Sequence, residues 1–157
     1  MDKNDTNNKV VSFLRMFTKI IPFTDKRTWL HIDKEIELQK IAAKYGFAPN
    51  IHEVKKFPDR YELVMDKIDA LCLADQYGDD PKSIPKRIWQ EIHNILIILF
   101  EREGIEYIDI TGYNFIELDN KVYIIDFGDA RYKKEGKINW FLKEFLDGDY
   151  GWNPDFA

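Results

Sequence analysis

The sequence has a single cysteine, Cys72, and only three histidines, His31, His52 and His93, scattered over 157 residues. One cysteine excludes an intramolecular disulfide, and no Cys/His cluster has the spacing of a zinc site. Cys72 is read as a small buried hydrophobe, and the histidines as surface or packing residues. Long apolar runs are also missing. The longest, Ile95 to Phe100, is far too short to span a bilayer. The start, MDKNDTNNKVV, has no apolar core of the signal-peptide kind, so the expected location is intracellular, in the cytoplasm. There is no excess of positive charge: 23 basic residues face 28 acidic ones, a net −5. That balance argues against a nucleic-acid partner and against a membrane-surface partner. No glycine precedes Gly46, so the first part of the chain has no glycine-rich loop to wrap phosphates.

What remains is the composition of a globular protein, 45% hydrophobic, 32% charged and 15% aromatic. The length suits one domain with a real core, taken here as residues 1–157. Residues 9–23, rich in β-branched and aromatic types and ending at Pro22, read as one or two strands. Residues 33–45 are strong helix formers, with Asp33 as a candidate cap and Gly46 and Pro49 as stop signals. Strands are expected at about 50–57 and 60–66, joined through Pro58 and Asp59. A long helix is expected from Ser83 to about Arg102, with Ile84, Ile88, Ile92, Ile95 and Leu99 along one face. Its second half is apolar nearly all round and should be buried on more than one side. A loop over 104–114 leads to strands at 115–118 and 122–125, and a last helix is expected near 138–146. Strands and helices do not alternate as βαβ units, so the fold class is α+β.

Three polar residues carry the chemistry: Asp109, Asn114 and Asp126. The stretch FIELDNKVYIID reads as a β-hairpin turning at Asp119 and Asn120. A two-residue loop sets Asn114 opposite Ile125; a loop that includes Lys121 sets it opposite Asp126. In both registers Asn114 and Asp126 meet at the open end of the hairpin. A carboxylate and an amide oxygen converging there suit Mg²⁺, which takes one or two protein carboxylates and keeps the rest of its shell for water and phosphates. Asp109 lies in the loop that feeds the hairpin and can face the same spot without being a metal ligand.

These residues resemble a protein-kinase signature. Residues 107–114, YIDITGYN, look like the catalytic loop H/Y-x-D-x-x-x-x-N, and residues 126–128 are an Asp-Phe-Gly triplet after the strand VYIID. The loop is similar to the Ser-x-Tyr-Asn of RIO-type kinases and to the loop of the tRNA-modification-complex kinase. The resemblance implies that Asp109 is the catalytic Asp, orienting or accepting the proton of an acceptor hydroxyl, and that Asn114 and Asp126 hold magnesium. It also implies a Lys–Glu ion pair: helix 33–45 resembles the kinase αC helix with Glu35 facing inward, Glu37 being the fallback, and Lys19 on the preceding strand is its partner. Residues 61–68, YELVMDKI, look like the last N-lobe strand and hinge. Met65 would then back the adenine pocket, and Asp66 and Ile68 would offer backbone groups to adenine.

The implied fold is a truncated bilobal kinase-like one, with a β-rich N-lobe over about 1–66 and a reduced helical C-lobe over 67–157. The implied activity is Mg-ATP-dependent transfer to a hydroxyl, by an atypical serine/threonine protein kinase acting on a protein substrate. A pseudokinase that signals by contact and a small-molecule phosphotransferase are the alternatives. The sequence departs from ordinary protein kinases in its missing glycine-rich loop, in the absence of an Ala-Pro-Glu motif, in Tyr107 for the usual His and in Thr111 for the usual Lys. Phe141, Phe145, Trp152 and Phe156 are expected to pack beneath the catalytic loop.

Overall fold

The structure, a computed structural model, describes residues 15–156. Among the described residues, seven strands and four α-helices make an α+β fold with three small antiparallel sheets. The largest sheet has three strands in the order β1 (Met16–Pro22), β3 (Arg60–Asp66), β2 (Ile51–Lys56). The expected strand over 9–23 is thus present from Met16; its earlier part lies outside the described residues. In β1, period-2 alternation turns Phe17, Lys19 and Ile21 to one side, with Ile21 buried and Lys19 half-buried. Lys19 sits opposite Leu63 of the central strand.

Helix α1 (Trp29–Lys44) crosses this sheet. It starts four residues before Asp33: Thr28 occupies the N-cap in extended conformation, and its backbone N–H donates to His31 Nδ1 at 3.1 Å. The side chain at N3 thus satisfies the cap N–H, as Glu or Gln does in a capping box. Asp33 is not the cap. The first turn was hidden because Trp29 and Leu30 stay exposed and break the apolar period. Gly46, at φ +78°, follows the helix end, a conformation that suits glycine. Glu35, Leu38 and Ala42 are all buried, as their shared helix side requires, and so is Gln39.

The core has two clusters. Ile21, Ile32, Ile36, Tyr61, Leu63 and Met65 pack the three-stranded sheet against the first half of α1. The larger cluster surrounds the long helix α3 (Lys86–Glu103), which follows the short α2 (Leu73–Tyr77). Leu38 and Ala42 reach into that second cluster, so α1 belongs to both. The start expected at Ser83 is instead a 3-10 turn, Pro81–Ser83, and the α-helix begins after Pro85 at its N-cap. Proline's fixed φ and missing N–H suit the first helical turn but not its interior. Ile88, Trp89, Ile92, Ile95, Leu96 and Leu99 are buried, and Ile97, Ile98 and Phe100 are partly covered. The helix ends at Gly104, φ +66°.

Strand β4 (Ile105–Glu106) pairs with β7 (Arg131–Tyr132), and β5 (Phe115–Leu118) pairs with β6 (Lys121–Ile124). Asp119 and Asn120 both have positive φ, 52° and 63°, as in the primed two-residue turns that match strand twist. The register pairs Phe115 with Ile124, and the Ile125 N–H donates to the Asn114 carbonyl at 3.0 Å. The two-residue loop is therefore the one formed, and Asn114 lies opposite Ile125.

After β7 comes α4 (Trp140–Leu146), capped by Asn139, whose Oδ1 accepts from Phe141 and Leu142 N–H. Phe141 and Phe145 are buried in the large cluster. The tail then runs under the 107–114 loop: Asn153 Nδ2 donates to the Ile108 carbonyl at 2.6 Å and its N–H to the Ile110 carbonyl at 2.8 Å. Trp152 tilts against Trp89 with ring centroids 4.6 Å apart. Phe156 lines a groove with Thr111, Gly112, Tyr113 and Trp152 beside the loop, as expected, but stays exposed rather than buried. Cys72 departs from the buried place expected for it, being only partly buried at the N-cap of α2. No described helix is long and apolar enough to cross a membrane.

Candidate active site

A cleft of about 380 Å³ opens between the three-stranded sheet and the β5–β6 hairpin. It is lined from above by Phe17 and Lys19 of β1, at the back by Met65, along one side by Asp66, Lys67 and Ile68, and from below by Asn114, Ile116, Ile125 and Asp126. Six residues singled out in the sequence thus line one cavity: Lys19, Met65, Asp66, Ile68, Asn114 and Asp126. Its volume lies in the range of small-ligand pockets. Its walls divide by chemistry, with Phe17, Pro49, Met65, Ile116 and Ile125 apolar, and Lys19, Asn114 and Asp126 polar.

Glu35 stands behind the cleft, almost fully buried on α1. Its Oε1 lies 2.7 Å from Lys19 Nζ, and its Oε2 accepts from the Arg27 guanidinium. The expected Lys19–Glu35 pair is present; Glu37, the fallback, is instead exposed and accepts from the Tyr132 hydroxyl. Lys19 Nζ also lies 3.6 Å from Asp126 Oδ1. One ammonium therefore links α1 to the segment after β6. Burial pulls the Lys19 pKa down, Asp126 pushes it back up, and Arg27 lowers it again.

Asp126 is held from its own side as well. Its Oδ1 accepts from the Gly128 N–H at 2.8 Å, and its carbonyl accepts from the buried Tyr107 hydroxyl at 2.7 Å. Tyr107 packs edge-on against Phe115 and Phe127. The loop tyrosine and the phenylalanine after Asp126 thus fix the backbone at Asp126 through the core. Asn114 is nine-tenths buried, and its Nδ2 donates to the Asp109 carbonyl at 2.9 Å. That bond commits the amide nitrogen to the loop and leaves Oδ1 for the cleft, which Asn114 lines.

Asp109 is half-buried and not in the cleft lining. Burial raises its pKa to about 6; the Asn114 amide opposes this, and Asp129 and Asp126 add to it. A carboxyl poised near neutrality suits proton transfer at ordinary pH. The backbone of 66–68 is partly committed: the Asp66 N–H already donates to the Asn50 carbonyl at 3.0 Å, so Asp66 has only its carbonyl to offer. The Ile68 N–H has no hydrogen-bond partner among the described residues.

No family model matches this chain, and no curated protein matches it.

Among the described residues no three His, Cys, Asp or Glu side chains converge as a metal site. Asn114 and Asp126 supply an amide oxygen and a carboxylate, a hard-oxygen pair that fits Mg²⁺ only if phosphate and water complete the shell. The donor set fits a metal that arrives with a polyphosphate. Sequence reasoning missed Arg27, which lies in a loop with no motif around it. It also missed Phe17 as a cleft wall, although the period-2 rule from Lys19 puts it on that side.

Proposed function

We propose that this chain is a minimal Mg-ATP-dependent phosphotransferase with a protein-kinase-like arrangement, most simply an atypical serine/threonine protein kinase. The reading treats the three-stranded sheet and α1 as a small N-lobe and everything after about residue 66 as a reduced C-lobe. The observation that carries it is the chain of charges Glu35–Lys19–Asp126, at 2.7 and 3.6 Å, across the end of a cleft walled mainly by apolar side chains. Such a cleft offers a flat apolar slot for a purine and a charged end for phosphates. Asp66 and Ile68 line the slot, and in this reading their carbonyl and N–H are the acceptor and donor that adenine needs.

In this reading Lys19, oriented by Glu35, holds the phosphates, and Asn114 with Asp126 holds magnesium, which would neutralise phosphate charge during transfer. Asp109 orients the acceptor hydroxyl and takes its proton as the acceptor oxygen bonds to the terminal phosphorus. The bond from that phosphorus to the bridging oxygen breaks, and ADP leaves. The raised pKa of Asp109 supports this role, since a carboxyl that only capped a turn would gain from being readily ionised.

A second reading, a pseudokinase that binds nucleotide without transfer, is favoured by the absence of any glycine before Gly46. Titration with ATP, with and without Mg²⁺, tests the shared nucleotide site. Binding that strengthens with Mg²⁺ supports it; no binding of ATP in either condition removes it. Transfer from labelled ATP then separates enzyme from pseudokinase.

A further inference from the structure

The phosphate end of the cleft has a second cation that the kinase resemblance does not account for. Arg27 lies in the loop between β1 and α1, on a turn closed by three bonds: Thr24 N–H to the Arg27 carbonyl, and Arg27 N–H to both the carbonyl and Oγ1 of Thr24. From that turn the guanidinium reaches Glu35 Oε2. The same guanidinium presses on Gly128: a Cβ built there would meet Arg27 Nη2 at 2.7 Å and Asp126 Oδ1 at 3.1 Å. Arg27 therefore stands beside Asp126, just outside the cleft, with a third of its side chain still exposed.

We infer, resting on the nucleotide reading above, that Arg27 is a phosphate-binding residue that takes over part of the role of the missing glycine-rich lid. Counting charges leads there. Lys19 and Arg27 balance Glu35 and Asp126 when the four are alone. Once Asp126 serves a magnesium ion, two cations share one buried carboxylate, and the surplus positive charge faces the polyphosphate. Arg27 is suited to take it, because a guanidinium has five donors and Glu35 uses only one edge. Gly128 is small for the same reason: a side chain there would push the guanidinium away from Asp126.

Isothermal titration of Mg-ATP and of AMP into wild type, Arg27→Met, Gly128→Ala and the double variant tests this, with thermal melts to establish folding. Arg27→Met should weaken Mg-ATP at least about tenfold, the scale of a charge-assisted hydrogen bond. AMP, lacking the outer phosphates, should change by less than about twofold by the same scale. Gly128→Ala should weaken Mg-ATP by displacing Arg27, and the double variant should be no weaker than Arg27→Met alone. Arg27→Lys should recover part of the loss. Mg-ATP affinity unchanged in folded Arg27→Met, with wild type binding normally, overturns the role of Arg27 and leaves the nucleotide site standing. Equal losses for ATP and AMP also overturn it, since the effect would then be structural. Wild type that binds neither nucleotide overturns the site reading and this inference together.

Discussion

Lys19 Nζ lies 2.7 Å from Glu35 Oε1, tying the edge strand β1 to helix α1 at a carboxylate that is almost fully buried. Arg27 holds the other oxygen of the same carboxylate. Removing Glu35 takes away the Arg27 partner and leaves Lys19 only Asp126 at 3.6 Å, with the two cations side by side. Glu35→Ala is expected to cost about 3 kcal/mol of folding stability, read from urea unfolding. A cost below about 0.5 kcal/mol would mean that the pair holds nothing together.

Asp126 carries a different expectation. Its side chain is partly exposed, and beside the carboxylate's own bond to Gly128 N–H the segment around it is anchored in the core by Tyr107 and Phe127. Asp126→Ala should keep the fold and lose the Mg²⁺-dependent part of ATP affinity. Because Asn114 and Asp126 are too few to hold a metal by themselves, wild type should bind Mg²⁺ tightly only when ATP is present. Calorimetry with the metal alone and then with nucleotide checks both points; magnesium dependence that survives in the folded variant would remove Asp126 from the site.

Asp109 should lower stability where it is ionised. Its folded pKa, about 6, lies above the ordinary 3.8, so the native state holds its proton more tightly than the unfolded chain does. Stability contributed by this group therefore falls as pH rises from 3.8 to about 6 and is flat above that. Asp109→Asn removes the penalty, so the variant should melt higher than wild type at pH 8 and approach it at pH 4. A variant that melts lower at both pH values would mark Asp109 as a structural turn residue.

Much of this site was legible in the chain because it rests on local spacing. The hairpin of 115–124 announced itself through alternating residues around Asp119-Asn120, and that hairpin brings Asn114 and Asp126 to one cleft. Lys19 and Glu35 were reached through the kinase resemblance, and only Glu35 also had a helix period, shared with Leu38 and Ala42, to turn it inward. The start of α1 was not legible: its cap is a Thr–His pair, and its first turn exposes Trp29 and Leu30. The break before Lys86 depends on Ile84 turning extended between the 3-10 turn at Pro81–Ser83 and the N-cap Pro85, which the apolar period through Ile84 and Ile88 does not reveal. Arg27 was out of reach because its place depends on the loop closure at Thr24, and Phe156 reaches the loop's groove without being buried there because the buried tie of the tail is Asn153, three residues earlier.

The central claim is that this cleft transfers phosphate, and Asp109 is the residue that separates transfer from binding. Phosphate transfer from labelled ATP, to the chain itself and to a broad protein pool, is to be measured for wild type and for Asp109→Asn at matched Mg-ATP occupancy. Losing a positioned proton acceptor should slow transfer by at least about 100-fold while leaving nucleotide affinity nearly unchanged. Transfer that Asp109→Asn leaves untouched, or wild type that binds Mg-ATP and transfers nothing, would contradict the account.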